Sequence, residues 1–115
     1  MIVDFDGRVI EGVMRPASDT PTHSVLYRTC PELGGIVHTH STYATAWAQA
    51  QRDIPLYGST HADHLPTAVP CTGLMADERI ANDYEVETGL QIVDCFHKKN
   101  LVMLAFFLFA FQNSI

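Results

Sequence analysis

Prolines and glycines mark the ends of several segments of this sequence, which limits where its helices and strands can extend. Pro31 and the pair Gly34-Gly35 end one segment, and Pro55 breaks the chain again. Proline removes a backbone donor and fixes φ, and glycine is costly inside a helix, so such positions end regular elements. The chain has 115 residues, about the length of one domain. We therefore expect one α/β core rather than separate cofactor and substrate lobes.

The composition excludes two broad classes of protein. Apolar residues make up 47% of the chain and charged residues 17%, with a formal charge of -6. An apolar fraction this high argues against disorder, and the acidic balance makes nucleic acid a poor partner. The three cysteines, Cys30, Cys71 and Cys95, have no CxxC spacing, which argues against a disulfide framework or a cysteine zinc site. We expect them to be reduced thiols.

The run LVMLAFFLFAF over residues 101–111 is apolar throughout and holds four of the six Phe residues. A helix of this length spans about 16 Å, roughly half of the hydrocarbon thickness of a bilayer. The N-terminal MIVDFDG has no basic region ahead of an apolar stretch, so it does not resemble a secretory signal. We expect a cytoplasmic protein without a membrane partner.

Segments with strand and helix patterns alternate along the chain, which predicts an α/β fold. They are a hairpin over Ile2–Phe5 and Val9–Ile10, a helix over about Pro21–Cys30, a short buried strand over Gly35–His40, a helix over Thr42–Ala50, a strand end and loop over Leu56–His64, and helical regions from about Asp77 and over Asp83–Phe96. Asp6-Gly7 is a hairpin turn signal, and Asp19 or Thr20 suits a helix cap before Pro21. Gly89 weakens the prediction of one unbroken last helix.

The string His38-Thr39-His40 is the sharpest local signal for chemistry. Residues two apart on a strand point to the same face, which places two imidazoles side by side, as a divalent metal requires. Two polar residues at the end of a strand are an equally good interpretation of this string alone. Asp19 could add a carboxylate ligand. Among the other histidines, His23 and His97 are weaker candidates for metal ligands, because their positions are typical of surface or capping histidines.

His61 and Asp63 stand in a different setting, because the residues around them are small and polar. Such a segment leaves room for a ligand, and the Asp63 carboxylate could act as a general acid or base. A turn stabilised by aspartate side-chain hydrogen bonds explains the same pattern about as well.

Several strings in one order resemble the class II aldolase/adducin family, and within it the L-ribulose-5-phosphate 4-epimerases. These are RPASDTPTH over residues 15–23, GGIVHTHS over 34–41, ATAWAQA over 44–50, THAD over 60–63 and YEVETG over 84–89. The resemblance covers Met1 to Phe96. The related sugar-phosphate aldolases tend to carry a glutamate where Asp19 stands here, so Asp19 favours the epimerase branch.

The resemblance implies a three-layer α/β fold, with a central β-sheet and flanking helices, of which this chain holds a part. It also implies a Zn²⁺ site, a sugar-phosphate substrate and a homotetramer. The implied reaction converts L-ribulose 5-phosphate to D-xylulose 5-phosphate by retro-aldol cleavage and re-addition. The residues that the resemblance assigns are Asp19, His38 and His40 to the metal, Ser18 to the phosphate, and Ser59 and Asp63 to the reacting carbons, with Asp63 as the acid/base.

Departures from the family pattern affect how the chain is divided. Ala17 stands where the family usually has serine, and His64 where a tyrosine is common. The family's Lys-Pro-Ser-Gly and His-Gly-Pro-Phe strings are absent. We therefore expect residues 1–96 to form an incomplete domain and residues 97–115 to be a non-native tail from a frameshift or early stop. Two alternatives stay open: an inactive or merely metal-binding remnant, and, less favoured, a class II sugar-phosphate aldolase.

Overall fold

The computed structural model describes residues 1–98, which form five helices and a two-stranded sheet. The elements are β1 (Ile2–Val3), β2 (Val9–Glu11), α1 (Thr20–Thr29), α2 (Thr42–Gln49), α3 (Ser59–His64), α4 (Asp77–Ala81) and α5 (Tyr84–Lys98). The described residues divide into two compact units, the first made of residues 1–36 and 75–94 and the second of residues 37–74 and 95–98. The mixed α/β character predicted from the sequence is confirmed.

The predicted N-terminal hairpin is present, but its first strand is shorter than expected. β1 pairs antiparallel with β2, with Val3 opposite Val9. The Asp4 carboxylate accepts hydrogen bonds from the backbone N–H groups of Asp6 and Arg8, both at 2.9 Å. These bonds turn the chain immediately after β1, which therefore ends before Phe5. Gly7 adopts a φ of 77°, the left-handed conformation that glycine permits at such a turn.

α1 begins and ends close to the predicted residues. Asp19 occupies the N-cap position, and Pro21 lies in the first turn, where its missing N–H costs nothing. Near the other end, the Arg28 guanidinium donates to the Phe5 carbonyl oxygen at 2.6 Å and pairs with the Asp6 carboxylate. The hairpin loop is thereby held against the helix.

Cys30 follows α1 and is buried. Burial raises the pKa of its thiol, and the nearby charge of Glu32 raises it further. Both effects favour the protonated, unreactive form of the thiol. Cys30, Cys71 and Cys95 form no disulfide in the described part of the chain and are reduced thiols, as the sequence predicts.

α5 is one unbroken helix, contrary to the weakness expected at Gly89. The reason is its packing on α1, because a β-carbon added at Gly89 would lie 2.8 Å from the Val25 Cβ and 3.0 Å from the Thr22 carbonyl oxygen. The missing side chain therefore lets the two helices approach. The Thr22 hydroxyl donates to the Glu85 carbonyl oxygen at 2.7 Å across the same contact.

The second unit has a small apolar cluster centred on α2. Ala48 is fully buried, and Leu65 and Val69 pack with it. The Ser41 side chain caps α2 by accepting from the Ala44 N–H at 3.5 Å. Ile54 and Val69 exchange two backbone hydrogen bonds of 2.9 Å, which joins the extended segments after α2 and after α3.

Two predicted elements are wrong. Gly35–His40 is not a buried strand: it lies outside helices and strands and is largely exposed, because β1 and β2 are the only strands among residues 1–98 and they pair with each other. The segment predicted as a strand end and loop includes the helix α3, which begins after an extended Gly58 and ends before the buried Leu65.

Of the predicted tail, His97 and Lys98 belong to α5, and the rest lies outside the described residues. None of the helices in residues 1–98 is long and apolar enough to cross a membrane.

The link between α4 and α5 is a charged hydrogen-bond network. The Arg79 Nε donates to Glu87 Oε2 at 2.6 Å, and the Asn82 Nδ2 donates to Glu87 Oε1 at 3.1 Å. Both hydrogen bonds hold the pKa of the Glu87 carboxyl below its ordinary value, and the bond from Arg79 has the larger effect. Asp83 adds a cap by accepting from the Val86 N–H at 3.3 Å.

We predict that Gly89→Ala destabilises the first unit. Alanine improves intrinsic helix propensity by about 1 kcal/mol, but crowding a packed contact costs about 1–3 kcal/mol, so a net loss is expected. Urea denaturation measures the difference. The matched control is Gly34→Ala, because a β-carbon at Gly34 meets no atom within 4 Å. A gain in stability of about 1 kcal/mol, as helix propensity alone would give, would contradict the close approach of α1 and α5.

We predict that Arg79→Met raises the pKa of Glu87 toward its ordinary value. Because the folded-state pKa is lowered, the network stabilises the fold above the ordinary glutamate pKa of about 4.3 and loses that effect as pH falls through the lowered value. NMR titration of the Glu87 side-chain carbonyl carbon measures the shift. Arg52→Met is the control, and an unchanged Glu87 pKa in Arg79→Met would contradict the assignment.

Candidate functional site

The paired histidines of the second unit lie side by side, as their spacing predicts. The Nε2 atoms of His38 and His40 are 3.0 Å apart, and the ring centroids are 4.8 Å apart at an interplanar angle of 41°. The rings meet although the segment is not a strand. Both side chains are exposed, so a ligand can reach the two nitrogens from solvent.

The geometry of this pair fits a shared metal ion. Zn–N bonds are about 2.0–2.1 Å long, so two nitrogens bound to the same ion lie about 3 Å or slightly more from each other. Neutral imidazole nitrogens also suit zinc and other first-row transition metals chemically. A hydrogen bond between the two nitrogens at 3.0 Å requires one of them to carry a hydrogen and the other to accept it. When each neutral ring carries its hydrogen on Nδ1, both Nε2 lone pairs are available to one ion.

Asp19, the predicted carboxylate ligand, lies in the first unit at the start of α1. Its side chain makes no capping hydrogen bond to the helix. It accepts a hydrogen bond of 3.1 Å from the Ser18 hydroxyl. A serine hydroxyl has one hydrogen, so Ser18 donates either to this carboxylate or to a phosphate, and it must rotate to change partner.

His23 also lies at this end of α1, where the sequence predicts only a surface or capping histidine. Asp19 and His23 are one helical turn apart, and a carboxylate oxygen and a ring nitrogen lie within 4.8 Å of each other. Both residues are half-buried and line a cleft of about 460 Å³ with Phe5 and Tyr27. The signal in the sequence is the i, i+4 spacing, which places two side chains on one helix face.

The other predicted substrate residues lie on α3. Ser59 is its first residue, and Asp63 follows four positions later, so both occupy one face of the helix. Both are exposed. His61 has a different environment: it is half-buried, and its Nε2 lies 3.0 Å from the Thr67 carbonyl oxygen. His64 on the same helix is exposed.

Within each unit, the structure therefore brings together pairs of the predicted residues. His38 and His40 form a nitrogen pair, Ser18 donates to Asp19, and Ser59 and Asp63 share a helix face. Such donors can bind a cation, hydrogen-bond hydroxyl groups and transfer a proton. The contacts of His23 and His61 are the additions that the sequence did not predict.

Comparison with known proteins assigns the chain to a family. Residues 1–107 match the model of the class II aldolase and adducin N-terminal domain. The chain is also 52% identical over 94 residues to proteins named L-ribulose-5-phosphate 4-epimerase UlaF from Salmonella paratyphi B, Salmonella choleraesuis and Salmonella typhi. Each alignment covers 82% of this chain and 41% of the relative, so the chain spans about two fifths of the relatives' length. The chain belongs to the class II aldolase and adducin N-terminal domain family.

Proposed function

We propose that this chain catalyses the metal-dependent 4-epimerisation of L-ribulose 5-phosphate to D-xylulose 5-phosphate. The observation that carries the proposal is the His38–His40 pair, whose Nε2 atoms converge to 3.0 Å in a chain 52% identical to named epimerases. The substrate class is a small sugar phosphate. A retro-aldol reaction needs a group that stabilises negative charge and a group that carries a proton, and the chain offers candidates for both.

In this proposal, His38 and His40 bind Zn²⁺ through their Nε2 atoms, and Asp19 supplies a carboxylate ligand. Two imidazoles and a carboxylate form a donor set typical of catalytic zinc. When bound, the metal supplies Lewis-acid stabilisation of the charge that develops on the ketose oxygens. Ser18 keeps the Asp19 carboxylate oriented through the 3.1 Å hydrogen bond until its hydroxyl turns to the substrate phosphate.

Asp63 acts as the acid/base of the proposed reaction. Its carboxylate accepts the proton of the C4 hydroxyl as the C3–C4 bond breaks, and the electron pair of that bond stays with the three-carbon fragment. After the aldehyde fragment rotates, the bond re-forms on the other face and Asp63 returns the proton. Ser59 lies on the same face of α3 as Asp63 and would hold a substrate hydroxyl beside it.

The proposal extends to three further properties that the family resemblance implies. The two-stranded sheet and the helices are parts of a three-layer fold with a central β-sheet. The active assembly is a homotetramer, and the protein works in the cytoplasm. Support for these properties comes from the family match over residues 1–107.

We predict that His38→Ala and His40→Ala each weaken Zn²⁺ binding at least tenfold. Loss even of a residue that only supports a ligand typically lowers metal affinity about 10–100-fold, and loss of a ligand should cost no less. Competition with a chromophoric chelator measures the affinity. His64→Ala is the matched control, because His64 is an exposed histidine on α3 outside the proposed ligand set. Unchanged affinity in both ligand variants would refute the metal assignment.

We predict that Asp63→Asn lowers kcat for D-xylulose 5-phosphate formation about 10²–10⁴-fold, the range expected for a general acid/base, and leaves Zn²⁺ affinity unchanged. A coupled assay on the purified chain measures the product, and Asp77→Asn is the control. Metal binding without turnover in the unmodified chain would favour the metal-binding remnant. Release of dihydroxyacetone phosphate from a deoxy-sugar phosphate would favour the aldolase.

A further inference from the structure

We propose that His61 is a positioning residue that fixes α3, and with it Ser59 and Asp63, through a hydrogen bond from its Nε2 to the Thr67 carbonyl oxygen. This inference rests on the proposed function for its catalytic meaning. The bond itself is 3.0 Å long and spans six residues. A carbonyl oxygen only accepts, so the Nε2 must carry the hydrogen and donate it.

α3 needs such a bond because little else holds it. The helix has six residues, none of them buried, and its N-cap Gly58 has no side chain to cap the first turn. Isolated helices shorter than about 12–15 residues are marginal in water. Within the described part of the chain, the His61 contact is the side-chain hydrogen bond that joins α3 to another segment.

The acceptor lies on a segment that the fold holds firmly. Thr67 stands between Leu65 and Val69, which are both buried in the apolar cluster of the second unit. Val69 also exchanges two backbone hydrogen bonds with Ile54. The Thr67 carbonyl is therefore anchored on both sides. A hydrogen bond to it restrains the position of α3.

The hydrogen bond of His61 thereby determines the position of the Asp63 carboxylate. Ser59 and Asp63 are exposed and share a face of α3, so their positions follow the helix. A catalytic group displaced by about 1 Å can lose about 10²-fold in rate. His61 thus acts on the reaction through Asp63, without contact with the substrate.

The test compares three variants: His61→Phe keeps a ring and removes the donor, His61→Gln restores an N–H donor of similar reach, and His64→Phe is the control on the same helix. Amide hydrogen exchange of residues 59–64 is measured by NMR. His61→Phe should accelerate exchange roughly fivefold, the factor expected for one hydrogen bond. His61→Gln and His64→Phe should leave exchange close to that of the unmodified chain. Long-range ¹H–¹⁵N correlation should show the hydrogen of the neutral His61 ring on Nε2.

Turnover then separates positioning from general destabilisation. As a single substitution, His61→Phe should lower kcat. In an Asp63→Asn background it should cause little further decrease in kcat. The single substitution His61→Gln should give a kcat close to that of the unmodified chain. Unchanged exchange in His61→Phe, failure of His61→Gln to restore it, or a hydrogen on Nδ1 would overturn the inference. Absence of turnover in the unmodified chain would overturn the proposed function, and the exchange data would still decide whether His61 fixes α3.

Discussion

The close approach of α1 and α5 at Gly89 is the contact on which the first unit depends. The absent side chain leaves room for Val25 and for the backbone of Thr22, whose hydroxyl donates to Glu85. Without that approach α1 would lose its main packing partner, since the sheet of the same unit, formed by β1 and β2, has only five residues. α1 in turn carries Asp19 and His23 at its beginning and holds the hairpin loop through Arg28. A packing constraint within two helices thus determines the place of a proposed metal ligand.

The second unit supplies its chemistry from exposed segments supported by a small core. Ala48, Leu65 and Val69 form that core, while His38, His40 and Asp63 are exposed around it. This arrangement separates the residues that stabilise the unit from those available to a ligand. In such an arrangement a single hydrogen bond is expected to have a large effect, because an exposed short helix has little buried area to hold it in place. The bond from His61 to Thr67 is the clearest case.

Much of the local structure could be predicted because it depends on neighbouring residues. The Asp6-Gly7 turn, Pro21 in the first turn of α1 and the Ser41 cap all act within a few positions. Gly35–His40 was wrongly predicted as a strand, because strand formation depends on a pairing partner that periodicity does not reveal. The role of Gly89 could not be predicted either, since its cause is a residue more than sixty positions away. The rings of His38 and His40 lie side by side as predicted, although the strand on which that prediction rested is absent, and the partner of His61 could not be predicted without the fold.

The family assignment and the histidine pair support the proposal that this chain performs an epimerisation that depends on a bound metal. The most direct measurement is formation of D-xylulose 5-phosphate from L-ribulose 5-phosphate by the purified chain before chelation, after chelation and after return of Zn²⁺. We expect turnover that chelation abolishes and that Zn²⁺ restores, with the fold retained throughout. Turnover that persists after complete removal of metal, or no turnover by the metal-loaded chain, would contradict it.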